Sequence, residues 1–251
     1  MTARGVFIGV DLAWAVDRRH TGVAVMEGGL RGARLKTLSA GIHSLADVTE
    51  FVREHLAVNM VVAVDASLIV SNEAGQRPCE RAIGATFGRF GASCHSTNRA
   101  RPHFDSGERL VRSLSRHGFV HGLPLASAKL RPGRWLIEVY PHPAMVRLFA
   151  LERVIPYKKG SIDERRAGLK RLQGYLRQLA TSARGLLPSE CLERLLRARP
   201  AGRRGQALKD LEDLLDAVLC AYIAWHFWRW GAQRNEVFGD LHTGYVVVPR
   251  G

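Results

Sequence analysis

Gly5-Val-Phe-Ile-Gly-Val-Asp11-Leu-Ala-Trp14, a polar loop and Thr21-Gly-Val-Ala-Val25 decide how the rest of the chain is read. Val6–Asp11 suits a buried strand, and Gly9 within it leaves room for close approach of another backbone. Asp17-Arg18-Arg19-His20 supplies turn chemistry, so Thr21–Met26 is predicted to return as the antiparallel partner. Asp11 ends the apolar run. A carboxylate at the end of a central strand needs a cation, donors or water, because an unpaired buried charge costs several kcal/mol. A turn aspartate capping local amides would also meet that need.

Working outward, Arg31–Gly41 reads as a third strand. Ser44 is placed to cap a helix over Leu45–Leu56, with Leu45, Val48, Phe51, Val52 and Leu56 at helical spacing. Met60-Val-Val-Ala-Val-Asp65 is a second apolar strand ending on aspartate. If the two strands are parallel neighbours joined by the crossover helix, Asp11 and Asp65 stand side by side at their C-terminal ends. Residues 66–132 are rich in Gly, Arg, Ser and His and read as an irregular insertion with short helices near Cys79–Ile83 and Gly107–His117. Long segments after a strand's C-terminal end often cover an active site. Arg77, Glu80, Arg99 and Arg101 are the residues placed nearest a substrate there; a solvated basic loop is the plainer reading.

Trp135-Leu-Ile-Glu138-Val-Tyr140-Pro-His142-Pro is a further strand with a carboxylate inside it. Its prolines end it, and a helix is expected from Ala144 to Leu151. Tyr157-Lys-Lys-Gly160 precedes a helix near Asp163–Thr181, and Pro188–Ala198 is another. Pro200–Gly205 is a basic linker. The longest helix is expected over Gln206–Trp230, with Gly231 at its C-cap. Asp213 and Asp216, three apart, can point at one spot. Helix-dipole stabilisation accounts for Asp210, Glu212 and Asp213 but not for Asp216, which lies deeper in the helix. Thr243–Val248 is read as a last short strand or tail.

The chain has 251 residues, 46% of them hydrophobic, enough for one large domain, taken here as 1–251. No run approaches the roughly 18 apolar residues of a membrane span, and no leader precedes Gly5, so a cytoplasmic protein without membrane contact is expected. Cys79, Cys94, Cys191 and Cys220 form no C-x-x-C pair, which favours reduced thiols over a disulfide frame. A zinc site from Cys79, Cys94, His95 and His103 matches no defensible ligand spacing. The formal net charge is +14. Bases concentrate in Arg99–Arg134, in Arg147–Arg171 and in Arg194–Lys209, which holds no acid. A polyanion is the natural partner of such a surface, although an Arg-rich composition alone raises the charge in the same way.

Together, a hairpin strand ending in Asp11, a crossover helix, a strand ending in Asp65, a strand carrying Glu138 and a late helix bearing Asp213-x-x-Asp216 resemble the RNase H-like fold. The sequence is most similar to a family of predicted RNase H-like nucleases, through G-V-D-L-A-W, V-A-V-D-A-S-L, E-V-Y-P-H-P, Y-K-K-G and L-E-D-L-L-D-A-V-L-C-A-Y. The resemblance implies an α/β fold: a mixed central sheet with an opening antiparallel hairpin, flanking helices, the insertion at 66–132 and extra helices over 161–198. It also implies a nuclease that hydrolyses phosphodiester bonds of DNA or RNA with two Mg²⁺ or Mn²⁺ ions. Clustered carboxylates repel one another unless a cation joins them, and hard oxygen ligands favour these metals. Two such ions can activate water and steady a leaving oxygen.

On this reading Asp11 bridges the ions and Asp65 and Asp216 hold one each. Asp213 or Glu138 completes the set, and Asp11, Asp65, Glu138 and Asp216 are the catalytic residues. Arg77, Arg99, Arg101, His142, Lys158 and Lys159 would meet nucleic acid, with His142 or Lys158 assisting proton transfer or phosphate binding. Two rival classes share these features. One is a catalytically silent nucleic-acid binder of the same fold. The other is an actin-like or sugar-kinase-like nucleotide-binding protein, whose second phosphate loop is missing after Asp65. Oligomeric state is not written in the sequence.

Overall fold

The computed structural model describes residues 4–16, 18–122 and 132–251. Asp17 of the predicted turn and residues 123–131 of the long segment after Asp65 lie outside them. The opening stretch folds as expected: β1 (Arg4–Asp11) and β2 (Thr21–Gly29) form an antiparallel hairpin, and β3 (Gly32–Ile42) continues it. Ser44 caps α1 (Leu45–Arg53) by accepting the Asp47 amide, and the chain crosses to β4 (Met60–Val64), parallel to β1. The apolar alternation of these strands and the amphipathic α1 between them leave that crossover as the way to bury both.

The segment after β4 carries α2 (Pro78–Phe87) and α3 (Ser106–Ser115). It also contributes the short β5 (Phe119–His121), which pairs with β6 (Arg134–Glu138) at the sheet edge. Next come α4 (Pro141–Leu148), α5 (Ile162–Thr181), the two-residue β7 (Leu186–Leu187), α6 (Glu190–Arg197) and α7 (Gly205–Trp230). A hairpin of β8 (Asn235–Asp240) and β9 (Gly244–Pro249) closes the chain. The seven-stranded mixed sheet has the order β5-β6-β4-β1-β2-β3-β7.

Helix α4 begins at Pro141 rather than at Ala144. Pro141 and Pro143 fall in its first turn, where backbone N–H groups have no helical acceptor and proline loses nothing. β5, β7 and β8 are too short or too polar to stand out by alternation.

One face of the sheet, through Phe7, Ala24, Val61, Ala63 and Ile137, packs against α7 with help from α4, α5 and α6. The other, through Ile8, Val10, Val62, Val64 and Leu136, is covered by α1 and α3. α7 is buried around most of its girth from Leu211 to Phe227, as a helix in the middle of a core must be. It reaches the sheet closely because two glycines let it. A Cβ on Gly9 would sit 1.9 Å from the Ala217 carbonyl oxygen, and one on Gly22 2.6 Å from that of Asp213. Among the described residues no helix is long and apolar enough to cross a membrane.

Candidate active site

Val10 and Val64 are in register, and the Asp65 amide donates to the Val10 carbonyl at 2.9 Å. Asp11 and Asp65 are therefore the next lateral pair. In-register residues on neighbouring strands share a face, and the parity of Phe7 and Gly9 assigns these two to the α7 side. Gly22, opposite Asp11 in the hairpin, holds the first half of α7 against the strand ends. That contact brings Asp213 to Asp11, and Asp216 follows nearly one turn later.

Asp213 is 2% exposed and Asp11 9%. Lys209, one turn earlier on α7, donates to Asp213 Oδ1. Asp213 Oδ2 and Asp11 Oδ2 are both buried without a hydrogen-bond partner. The two carboxyl groups are within hydrogen-bonding reach of each other, and burial together with the Asp11 charge pushes the Asp213 carboxyl up to about 8. Buried carboxyl groups this close, each with an oxygen that has no donor, need either a shared proton or a cation. Asp65 is pushed well above the carboxylate range by burial and by Asp11 and Asp216, against the opposing charge of Lys158.

Asp216, fully buried, is spoken for. The Tyr157 hydroxyl donates to its Oδ1 at 2.7 Å, and the Lys158 ammonium lies 2.7 Å from its Oδ2, as an ion pair outside hydrogen-bond alignment. Burial works against the Lys158 charge, but Asp216 and Asp11 outweigh it and raise its affinity for the proton. Lys209 is held charged in the same way by Asp11, Asp213 and Glu212. Glu212 itself meets Lys209 at 2.9 Å and Arg165 at 3.3 Å.

Glu138 is a different case. It is in register with Val64, so it points to the face opposite Asp11 and Asp65. Arg77 donates to both its oxygens, at 2.6 and 3.0 Å, and the Leu68 amide donates to Oε2 at 2.8 Å. The expectation that Glu138 holds a metal beside Asp11 is corrected by that alternation. The expectation that Arg77 meets nucleic acid is corrected by its burial, at 2% exposure. Glu80, placed near substrate by the sequence, is instead the other partner of Arg77 and accepts the Thr97 amide. Burial opposes the Arg77 charge, yet Glu138 more than offsets it and holds the guanidinium above its ordinary range. This triad fastens the segment after β4 to the sheet.

His142 is partly buried, with Nδ1 3.0 Å from the Tyr140 hydroxyl. Burial and the Lys158 charge push it down to about 3, so it is neutral at pH 7 and carries no proton to give as an imidazolium. Arg99, Arg101 and Lys159 are exposed, as a phosphate contact must be; Arg99 also reaches the Val70 carbonyl and Glu73. Trp14, three residues beyond Asp11, is 48% exposed, and its carbonyl accepts from Ser106.

Sequence reasoning missed Tyr157 and Lys209. Lys209 was within reach of it, at i−4 from Asp213 on the same helix face. Tyr157 carried no signal beyond its place before Lys158. The cysteines are free thiols. Among the described residues no three His, Cys, Asp or Glu side chains converge closely enough to hold one ion as they stand.

The profile of a family described as "Protein of unknown function (DUF429)" matches residues 9–239, which takes in every site residue from Asp11 to Asp216. No curated protein matches the chain.

Proposed function

The chain belongs to the DUF429 family, and from that premise we propose that it is a metal-dependent nuclease of RNase H-like fold that hydrolyses phosphodiester bonds in DNA or RNA. One observation carries the reading: the unclaimed, buried oxygens of Asp11 and Asp213, brought together by a strand end and a helix pressed onto it through Gly9 and Gly22. Like charges are not gathered this way for stability, since each raises the other's cost. The residues fit Mg²⁺ or Mn²⁺, because the donors are all hard carboxylate oxygens. Asp11 and Asp213 would hold the metal, with Asp65 on the same face. Such an ion supplies an activated water and a counter-charge for the phosphate.

The chain's own residues supply the rest. Tyr157 fixes Asp216, while Lys158 and Lys209 keep positive charge beside the carboxylates for an incoming phosphate. Arg99, Arg101 and Lys159 extend that charge over the surface, consistent with the net +14. The exposed Trp14 indole offers a face on which a base can stack. The hairpin, the crossover through α1 and the parallel β4 and β6 support the RNase H-like reading.

A catalytically silent nucleic-acid binder is favoured by one observation, that Lys158 and Lys209 already offset two of the carboxylates. The test is cleavage of labelled single- and double-stranded DNA and RNA with Mn²⁺, Mg²⁺ or EDTA. Cutting that needs metal and is abolished in Asp11→Asn, with an unchanged circular dichroism spectrum, supports the nuclease. Binding without cutting supports the silent binder.

A further inference from the structure

The geometry points to a single divalent ion in this site, not a pair, with the Lys158 ammonium standing in for the second; this rests on the metal-dependent reading above. The carboxylates are not equivalent. Asp11 Oδ2 and Asp213 Oδ2 are buried with neither a hydrogen bond nor an ion pair, whereas Asp216 has the Tyr157 hydroxyl on Oδ1 and the Lys158 ammonium 2.7 Å from an Oδ2 that makes no aligned hydrogen bond. An ion needs free lone pairs, and these are at the Asp11–Asp213 end.

Charge leads to the same count. With every carboxyl deprotonated, as a bound metal requires, Asp11, Asp65, Asp213 and Asp216 bring four negative charges, and Lys158 and Lys209 bring two positive ones. Glu212, beside them, is offset by Arg165. His142, the imidazole near Lys158, is neutral. Two negative charges remain, which one divalent cation cancels. A second would leave the buried cluster positive, a state whose desolvation nothing there offsets.

Lys158 is not a loose surface side chain that swings away when metal arrives. Its side chain is only 28% exposed, its ammonium is paired to a carboxylate with no exposure at all, and it feels Asp11 and Asp65 as well. Tyr157, the preceding residue, is itself fully buried and bonded to the same aspartate, so the backbone at 157–158 is held at both side chains. Releasing Lys158 would strand Asp216 as a buried anion with only the Tyr157 hydroxyl for company.

The test counts Mn²⁺ bound per chain, by titration calorimetry and by the electron paramagnetic resonance signal of free Mn²⁺, with no nucleic acid present. One ion is expected for the wild type and none for Asp11→Asn. Lys158→Met should free Asp216 and admit a second ion, while Lys158→Arg should stay at one. Two ions in the wild type overturn the assignment and leave the nuclease reading standing. No ion in the wild type, or one ion in a folded Lys158→Met, also overturns it. If Lys158→Met does not fold, the wild-type count alone decides. One bound ion without cleavage of any nucleic acid would support the single-ion site and count against the nuclease reading.

Discussion

Asp213 and Glu138 are both buried acids on central elements, and they differ in their partners: Asp213 stands beside Asp11, Glu138 is held by Arg77. Asp213 is pushed up to about 8 by burial and Asp11, so the folded protein holds a proton there that the unfolded chain, with an ordinary carboxyl near 4, releases. A raised pKa stabilises the fold fully below the unfolded value, and that stability is lost as pH rises through the folded one. The metal-free wild type should therefore lose stability from about pH 4 to pH 8, and Asp213→Asn should flatten that fall; parallel urea melts across that range would measure it. If the two proteins show the same pH dependence, Asp213 is not the strained member. Glu138→Gln should do the reverse. It leaves buried Arg77 with Glu80 alone as its charge partner, at a cost of up to about 3–5 kcal/mol, while Mn²⁺ binding stays intact. A denaturant midpoint and a Mn²⁺ titration on one sample check both halves. Loss of Mn²⁺ binding in folded Glu138→Gln would return Glu138 to the site. Which role each acid has was partly legible: the period of two, applied to the pairing of 64 with 138, separates Glu138 from Asp65. The Arg77 partner was not, because it comes from 61 residues away.

The element that makes the site is α7, and what positions it is the absence of side chains under it. Gly9→Ala would drive a methyl group into the Ala217 carbonyl oxygen and the Ala221 amide nitrogen, which are backbone atoms with no rotamer to change. A destabilisation of at least about 1–3 kcal/mol is expected, with loss of metal binding as Asp213 is moved off Asp11. Gly174→Ala is the control. It lies exposed in α5 with nothing within 4 Å of a Cβ, so it should stabilise by about 0.5–1 kcal/mol. Thermal melts of the two variants compare them directly; equal effects would mean the Gly9 contact yields. The hairpin, the crossover and α7 were legible because each has a strong period and a clear stop: Asp11, Ser44 and Gly231. β5 and β7, of three and two residues, were not. Such strands exist only because a sheet edge is already there to pair with, and no local pattern encodes that.

At the scale of the whole molecule, the basic surface and the acidic centre make opposite demands, and under the proposed function a polyanionic chain held by the first and cut at the second would reconcile them. Binding should weaken linearly in log affinity against log salt. Replacing the exposed Arg99 and Arg101 together by Ala should reduce the slope by up to about 1.4–1.8. Fluorescence anisotropy at several salt concentrations reads this, and an unchanged slope would remove the pair from the interface. The composition made the excess of basic residues legible, since that needs only the charge count. It left the pairing of Lys158 with Asp216 hidden, because that depends on packing between residues far apart in the chain. The most direct measurement is single-turnover cleavage of a labelled strand by wild type, Asp213→Asn and Glu138→Gln, side by side, in Mn²⁺ and in EDTA. Cutting is expected only with Mn²⁺, down by about 100-fold or more in Asp213→Asn and largely kept in Glu138→Gln below its melting temperature. Cleavage that survives in Asp213→Asn, or that proceeds in EDTA, would contradict a metal-dependent centre built on Asp11 and Asp213.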